Sequence, residues 1–545
     1  MTFKVFIKKY WTVILVAICC IGVLLLFSSR KKGVFIDEVY TFGLSNSYYK
    51  PYLTDVKDGT MIDKIFTPSD IKEYLTVGDS DRFAAGSVYY NQTRDVHPPL
   101  YYWLFNFAYS LFPGNDSLYI GTGLNGIIFI FCLFLMYKLC MLAFGNSDIS
   151  AAGVALLGLS TLAISCVMML RMYTLLMLFT LLLAYLVLKL IRSDGKKRIF
   201  YPLIMLTVFG GVMTQYYFAF YAMFLTLTYI IYALVKKNFN SALWFAICSA
   251  LGVALMVAVF PECIRQLLVG NGQVVGGQSI IKWLTDVSQY GNSIRLMWSA
   301  VTRLKGMKYI LLISIVLFIF LIKGAVEVFK EKNLHFDSLL IIFPIIPTFL
   351  LIAIISPVKE YRYFYNLIPL AAMFICFILN LNSASFGHIQ LCKDISGSQE
   401  YFNKGLVIIT AAVCLLMAKT MPPDNLYSEH QILNELCDAH KTSPVVYITN
   451  DKFASPTQDL LQLKHFNSFF VTNNLSSEKM KDYIGQADEA ILYIDTNSYW
   501  SSGYDENEIL NGFLSETGFN DSQLLYKFTY EGVDGLSSTY VITNK

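Results

Sequence analysis

The chain has 545 residues, of which 55% are hydrophobic and 15% are charged, and its formal net charge is +3. Its mean hydropathy is +0.51. Soluble domains average about a quarter charged residues, so this composition excludes a water-soluble protein. Repeated apolar runs near the roughly 20 residues needed to cross a bilayer predict a polytopic α-helical membrane protein.

The first apolar segment covers residues 11–27 and follows Lys4, Lys8 and Lys9. It has the charge pattern of a signal peptide, but the sequence Ser-Ser-Arg-Lys-Lys that follows offers no small-residue cleavage site. We therefore expect an uncleaved helix with a cytoplasmic N-terminus. The polar stretch 30–97 then becomes the first external loop.

This external loop is too long to be a simple connector. The sequence Thr67-Pro68-Ser69-Asp70 has an N-cap residue, a proline at the first helical position and an acid two residues later, which predicts a short helix. Apolar Ile71, Tyr74 and Leu75 predict that this helix lies in the membrane interface.

Eleven further apolar segments follow the first one. They lie at about 98–113, 119–142, 149–168, 170–191, 199–213, 215–235, 241–260, 308–323, 337–356, 361–381 and 404–420. The basic clusters should be cytoplasmic. These clusters are Arg192/Lys196/Lys197/Arg198, Lys236/Lys237 and Lys323/Lys330/Lys332.

The same rule places Arg171, Gln215-Tyr216-Tyr217, the loop 261–307 and Lys359-Glu360-Tyr361-Arg362 on the outer side. His97 and Arg171 can share that side only if one of the three segments between residues 98 and 170 does not cross. We therefore expect about eleven crossings, without assigning the segment that fails to cross.

The tail from residue 421 to residue 545 holds 18 acidic residues against 7 lysines and no arginine. It alternates β-like runs at 444–448, 490–494 and 539–543 with an amphipathic helical stretch at 428–440. The pattern predicts a membrane domain at 1–420 followed by a small acidic, extracytoplasmic α/β domain at 421–545.

Two acidic signatures bracket the first external loop. Asp37-Glu38 lies near its start, and Asp95-Val96-His97-Pro98-Pro99-Leu100 lies at its end. A carboxylate facing water beside a bilayer can act as the general base that deprotonates an attacking acceptor. Taken alone, the Asp37-Glu38 pair would favour an ordinary solvated loop, and it is the second signature that changes this interpretation.

Together these motifs resemble the dolichyl-phosphate-mannose protein mannosyltransferase family and its bacterial relatives, including the lipid A aminoarabinose transferases. Arg171-Met172-Tyr173, the Gln215-Tyr216-Tyr217 corner and Arg362-Tyr363-Phe364 with Pro369 are similar to features of the bacterial branch. The resemblance covers roughly residues 10–380. Gln215 stands where many bacterial relatives carry a histidine, and the tail matches neither branch.

The resemblance implies a membrane glycosyltransferase of the GT-C type. It would use a polyprenyl-phosphate sugar donor, act on the outer face and invert the anomeric carbon. It implies that Asp37 is the catalytic base, that Glu38 is its neighbour in acceptor binding, and that Asp95 and His97 organise donor or acceptor.

Two arginines are suited to the donor phosphate, because a guanidinium binds phosphate oxygens in a bidentate fork. Arg171 and Arg362 could instead extend their side chains toward the interface without binding a ligand. Tyr173, Gln215, Tyr216 and Tyr363 are further candidates for donor or acceptor binding, although aromatic residues crowd any membrane interface.

Some GT-C enzymes use a divalent cation such as Mg²⁺ or Mn²⁺. Asp37, Glu38, Asp95 and His97 do not form a metal-binding motif that can be recognised from the sequence, so we assign no metal ligand.

Two other classes of function remain open from sequence. One is a transporter or flippase of lipid-linked sugars, although the apolar segments carry few charges near their midpoints and show no repeated halves. The other is an inactive relative whose tail binds a partner. The expected enzyme would lie in the plasma membrane and act on an envelope glycan, lipid or protein.

Overall fold

The computed structural model describes residues 3–54, 60–268, 290–330, 336–356, 359–389, 397–449, 455–496, 505–528 and 537–544. Its α-helices are Phe3–Arg30, Ile36–Asn46, Pro68–Leu75, Ala85–Gln92, Leu100–Ser110, Leu118–Phe144, Ser147–Gly158, Thr161–Met168, Tyr173–Arg192, Phe200–Val212, Phe218–Val235, Phe239–Val259, Glu262–Leu268, Tyr290–Arg303, Lys305–Phe320, Ile322–Lys330, Leu339–Ile342, Ile345–Ile355, Ile368–Gly387, Ser398–Thr420, His430–Ala439, Leu460–Leu463, Glu478–Ile484 and Glu506–Thr517. Short 3₁₀ turns lie at Asp79–Asp81, Phe336–Ser338, Tyr361–Leu367 and Ser455–Asp459.

Within the described residues, eight helical segments are long and apolar enough to cross a membrane. They are Tyr10–Arg30, Leu118–Phe144, Tyr173–Arg192, Phe218–Val235, Phe239–Val259, Phe336–Ile355, Tyr361–Gly387 and Ser398–Thr420. Two bent pairs raise the number to ten if each pair is one span, namely Ser147–Gly158 with Thr161–Met168 and Lys305–Phe320 with Ile322–Lys330. The polytopic helical prediction is therefore confirmed.

The described residues contain fewer spans than the expected eleven, because some of the predicted apolar segments form helices too short to cross a bilayer. The apolar segment 98–113 forms the helix Leu100–Ser110, which has 11 residues. At 1.5 Å per residue it rises about 16 Å, roughly half of a 30 Å hydrocarbon core. Two longer spans remain between His97 and Arg171, which lets both residues lie at the same end.

The chain divides into two compact units. The first unit comprises residues 1–30, 95–101 and 122–424, and the second comprises 31–94, 102–121 and 425–545. The second unit thus combines most of the predicted external loop with the tail, whereas the sequence pattern placed the two in separate domains.

One end of the first unit carries a basic cluster. Arg192 forms an ion pair with Asp337, and Asn238 Nδ2 donates to the Asp194 carbonyl at 2.7 Å. These contacts bring together the loops that follow the spans ending at residues 192 and 235. The sequence likewise predicts that these basic loops lie on one side of the membrane. Lys332 lies outside the described residues, as does 269–289 of the predicted outer loop.

The second unit is built on a six-stranded mixed sheet. Its strands are β1 (Lys64–Phe66), β2 (Val445–Ile448), β3 (Phe469–Thr472), β4 (Glu489–Asp495), β5 (Asp521–Lys527) and β6 (Ser537–Thr543). The order is β1-β3-β2-β4-β6-β5, with β2 parallel to both β3 and β4 and the other pairs antiparallel.

The central strand β2 is covered on both faces, with Val446 and Ile448 in the apolar core cluster. All four residues of β2 are buried, which is typical of strands covered on both faces. The strand-like runs and the helix predicted for the tail are confirmed, since they form β2, β4, β6 and the helix His430–Ala439. Strand β1 comes from the predicted external loop and pairs with β3.

The helix predicted after Thr67 is confirmed, although its environment differs from the prediction. Thr67 and Asp70 form a capping box, with Thr67 N and Oγ1 both donating to Asp70 Oδ2 at 2.7 Å. Ile71, Tyr74 and Leu75 are 1% exposed or less. These apolar side chains are therefore buried within the second unit and do not form the face packing against lipid that was expected from the sequence.

Candidate functional site

Asp95, His97 and Arg171 meet at one end of the first unit. His97 Nδ1 lies 2.9 Å from Asp95 Oδ2, and Arg171 Nη2 lies 3.3 Å from His97 Nε2. The Leu100 amide, at the start of the next helix, donates to the Met213 carbonyl at 3.1 Å. The sequence prediction that residues 95, 97 and 171 share one end is therefore confirmed.

These contacts fix the tautomer of the imidazole. A guanidinium can only donate hydrogen bonds, so His97 Nε2 must be the acceptor of the Arg171 bond. His97 Nδ1 therefore carries a proton and donates a hydrogen bond to the Asp95 carboxylate. The triad is an ordered chain of donors that runs from Arg171 through His97 to Asp95.

The charge state of Asp95 follows from the same neighbours. Burial by itself would raise the pKa of this carboxyl, but the His97 ring and the Arg171 guanidinium favour the ionised form and lower the pKa below its ordinary value. Asp95 is therefore a carboxylate at neutral pH. Its side chain keeps 21% of its surface exposed.

Gln266 connects this triad to an aromatic corner. Its Nε2 donates to the Asp95 carbonyl at 2.9 Å, and its Oε1 accepts from the Tyr216 hydroxyl at 2.5 Å. The Gln215 side chain accepts from the Tyr216 amide at 2.7 Å. Sequence reasoning missed Gln266, because a single glutamine in the short helix Glu262–Leu268 gives no recognisable signal.

The other side of this corner faces Arg362. The rings of Tyr217 and Tyr363 pack edge to face with centroids 5.2 Å apart, and the Arg362 guanidinium lies 5.8 Å from the Tyr363 centroid. Arg362 Nε lies 2.5 Å from Glu360 Oε2. Tyr363 thus packs against Tyr217 of the predicted aromatic corner, and Arg362 lies beside Tyr363.

Lys359 lies beside the C-terminal end of the preceding helix. Its Nζ donates to the carbonyls of Ala353 and Ile354, both at 2.9 Å, at the end of the preceding helix. Cations at a helix C-terminus interact favourably with the helix dipole. Burial lowers the pKa of Lys359 to about 8.

Tyr173 is buried and packs edge to face with Tyr365, with centroids 5.7 Å apart. The next ring in this stack is Tyr361, whose hydroxyl donates to Asp424 Oδ2 at 3.1 Å. Arg303 lies 3.9 Å from the Tyr361 centroid and bonds to the same carboxylate. This arrangement favours a supporting role for Tyr173, because its ring is enclosed by other side chains.

Asp37 and Glu38 occupy the first turn of the helix Ile36–Asn46 in the second unit. The Glu38 side chain is 0% exposed, with Oε1 accepting from Lys31 Nζ and Oε2 accepting from the Phe35 amide, both at 2.8 Å. Glu38 thus anchors the helix start, which differs from the expected contact with an acceptor. Asp37 is partly buried in the same turn.

Within the described part of the chain, no group of three or more His, Cys, Asp or Glu side chains could hold a metal ion. At this end the first unit presents Arg171 beside His97 and the Asp95 carboxylate, and Arg362 beside Glu360, and each guanidinium is about 5% exposed or less. A guanidinium group binds an anion such as a phosphate through planar, bidentate hydrogen bonds. This end of the unit is therefore suited to binding an anionic group.

No protein-family model matches the chain. No curated protein matches it either. Among solved structures, ArnT from Cupriavidus metallidurans bound to undecaprenyl phosphate matches with 9% sequence identity and a TM-score of 0.48, covering 98% of each chain. The apo state of the same ArnT matches with 10% identity and a TM-score of 0.42, covering 96% of this chain and 98% of that one.

Proposed function

We propose that this chain is a membrane glycosyltransferase that moves a sugar from a polyprenyl-phosphate donor to a cell-envelope glycan, lipid or protein. Asp37 takes the proton of the attacking acceptor group. The bond from the anomeric carbon to the acceptor forms on one face of the sugar while the bond to the phosphate breaks on the other. Polyprenyl phosphate leaves, and the configuration is inverted.

The observation that supports this proposal most strongly is the burial of two guanidinium groups, those of Arg171 and Arg362. Both guanidinium groups are buried at the end of the first unit opposite its basic cluster. A leaving phosphate gains negative charge as the donor bond breaks, and preorganised cations in a region of low dielectric stabilise that charge. Arg171 and Arg362 would supply this stabilisation.

The neighbouring groups have separate roles in the proposal. The Asp95 carboxylate holds His97 in one tautomer, and His97 in turn orients the guanidinium of Arg171. Tyr216, held by Gln266 and Gln215, would border the sugar or its acceptor. Aromatic rings with a polar end suit sugar binding, since they combine an apolar face with a hydrogen-bonding hydroxyl.

The proposed protein is a multi-pass protein of the plasma membrane with a cytoplasmic N-terminus and an extracytoplasmic tail. The apolar helices support the multi-pass arrangement. The orientation rests on the positive-inside rule, because Arg192 and the other basic loops would be cytoplasmic. Accessibility labelling of single cysteines at positions 194 and 424 in intact cells would test this orientation.

The experiment for the reaction uses full-length protein in lipid with polyprenyl-phosphate sugars, followed by release of polyprenyl phosphate. Asp37→Asn should reduce release by about 10²- to 10⁴-fold, the range that a general base contributes. Asp79→Asn is the matched control, since Asp79 is an exposed acid in the same loop. Wild-type release by Asp37→Asn would refute the role of Asp37. Movement of intact donor across the membrane without cleavage would refute the enzyme and favour a flippase.

A further inference from the structure

The Lys31–Glu38 ion pair is buried within the second unit. Both side chains are 0% exposed, and Lys31 Nζ lies 2.8 Å from Glu38 Oε1. The Glu38 carboxylate also accepts from the amide of Phe35, which is the N-cap residue of the helix Ile36–Asn46. The pair therefore holds the first turn of the helix that carries Asp37.

Lys31 also reaches the beginning of the tail. Its Nζ donates to the Asn425 carbonyl at 2.9 Å, and it lies 5.5 Å from the centroid of the Tyr427 ring. The neighbouring Lys32 amide donates to the Leu426 carbonyl at 2.8 Å. One ammonium group thus bridges the helix start and the tail segment 425–427.

The backbone of that tail segment is held in an uncommon conformation. Asn425 has φ 66° and Tyr427 has φ 49°, which places two non-glycine residues in the left-handed region within a short segment. Asparagine adopts this conformation readily, but a bulky residue such as tyrosine does so rarely. Such conformations persist only where the surroundings determine them. Here the Asn425 carbonyl accepts a hydrogen bond from Lys31.

We propose that Lys31 is a positioning residue, which fixes the Asp37 helix by bridging the Glu38 carboxylate and the Asn425 carbonyl. This inference rests on the proposed function for its catalytic consequence. A misplacement of a reacting group by about 1 Å can reduce a rate 10²-fold. The tail would therefore affect the rate of the reaction, although its residues Asn425 to Tyr427 need not touch the substrate.

The test compares Lys31→Met, Lys31→Met/Glu38→Gln and wild type as full-length protein in lipid. The single variant leaves a buried carboxylate without its cation and is expected to destabilise the fold. The double variant is neutral at both positions, and the introduced glutamine side chain can still accept from the Phe35 amide. It keeps a folded second unit but loses the bridge to Asn425.

Two readouts are measured on the double variant. The kcat for polyprenyl-phosphate release should fall about 10- to 100-fold while the donor KM stays within about twofold, since only the position of the base changes. Amide hydrogen exchange of residues 36–46 should become faster. Lys32→Met is the matched control, because its Nζ lies 3.4 Å from the Tyr119 hydroxyl and forms no part of the bridge.

Each outcome decides the proposal. A folded double variant with wild-type kcat and unchanged exchange at 36–46 overturns it. Complete loss of the folded state in the double variant also overturns it, because the pair would then be part of the folding core. If wild type releases no polyprenyl phosphate from any donor, the proposed function fails, and the exchange measurement alone decides whether Lys31 positions the helix.

Discussion

Arg171→Met should weaken donor binding far more than it affects folding. The guanidinium is 4% exposed, lies 3.3 Å from His97 Nε2 and contributes to the ionised state of Asp95. Hydrogen bonds to charged groups are worth about 1.5–3 kcal/mol each. Loss of one such bond to the donor phosphate corresponds to a rise in the donor KM of about 10- to 100-fold, at 1.4 kcal/mol per tenfold change.

The assay is the release of polyprenyl phosphate by full-length protein in lipid, with donor concentration varied. Arg171→Lys keeps the charge but loses the fork geometry, so we expect an intermediate donor KM. Arg192→Met is the matched control, because Arg192 pairs with Asp337 at the opposite end of the first unit. A donor KM for Arg171→Met within twofold of wild type, or an equal rise for Arg192→Met, would refute phosphate binding by Arg171.

Two further predictions concern the second unit. Gly33→Ala should lower its thermal midpoint by several degrees, because an added Cβ would lie 2.2 Å from His430 Nδ1 and 2.8 Å from Tyr427 Cβ, and overpacking costs about 1–3 kcal/mol. Gly405→Ala, in the first unit, has no heavy atom within 4 Å of the new Cβ and should leave the midpoint of the second unit unchanged, so an equal loss in both variants would contradict this reasoning. Burial lowers the pKa of His430 from 6.5 to about 4, so the unfolded chain takes up a proton that the folded state excludes. The contribution of His430 to the free energy of unfolding is complete above pH 6.5 and falls by about 3 kcal/mol as the pH drops toward 4. In thermal unfolding, His430→Gln should therefore show a weaker dependence of stability on pH.

The membrane helices and much of the tail could be predicted because their signals are local. Long apolar runs identified the spans, and alternating apolar residues identified β2, β4 and β6. Strand β1 could not be predicted, because its three residues form a strand only by pairing with β3, far along the chain. The capping box at Thr67 was readable, whereas the burial of that helix depended on tertiary contacts.

The candidate site shows the same division. The positions of the basic loops predicted that His97 and Arg171 lie at one end of the membrane domain, and the two side chains are in contact in the structure. The burial of Glu38 was not predictable, because its partner Lys31 is one of three consecutive basic residues that look like an ordinary juxtamembrane cluster. Gln266 carries no motif and was found only through its bonds to Asp95 and Tyr216.

The addition of β1 to the sheet has a consequence for biosynthesis. Asp63, beside β1, bonds to Thr472, and these two residues are 409 positions apart. During translation, residues 64–66 cannot form their hydrogen bonds with β3 until nearly the whole polypeptide has been made. The tail must also have reached the same compartment. In a nascent or prematurely terminated product the backbone groups of residues 64–66 would therefore stay unpaired, and unpaired strand groups of this kind can start misassembly.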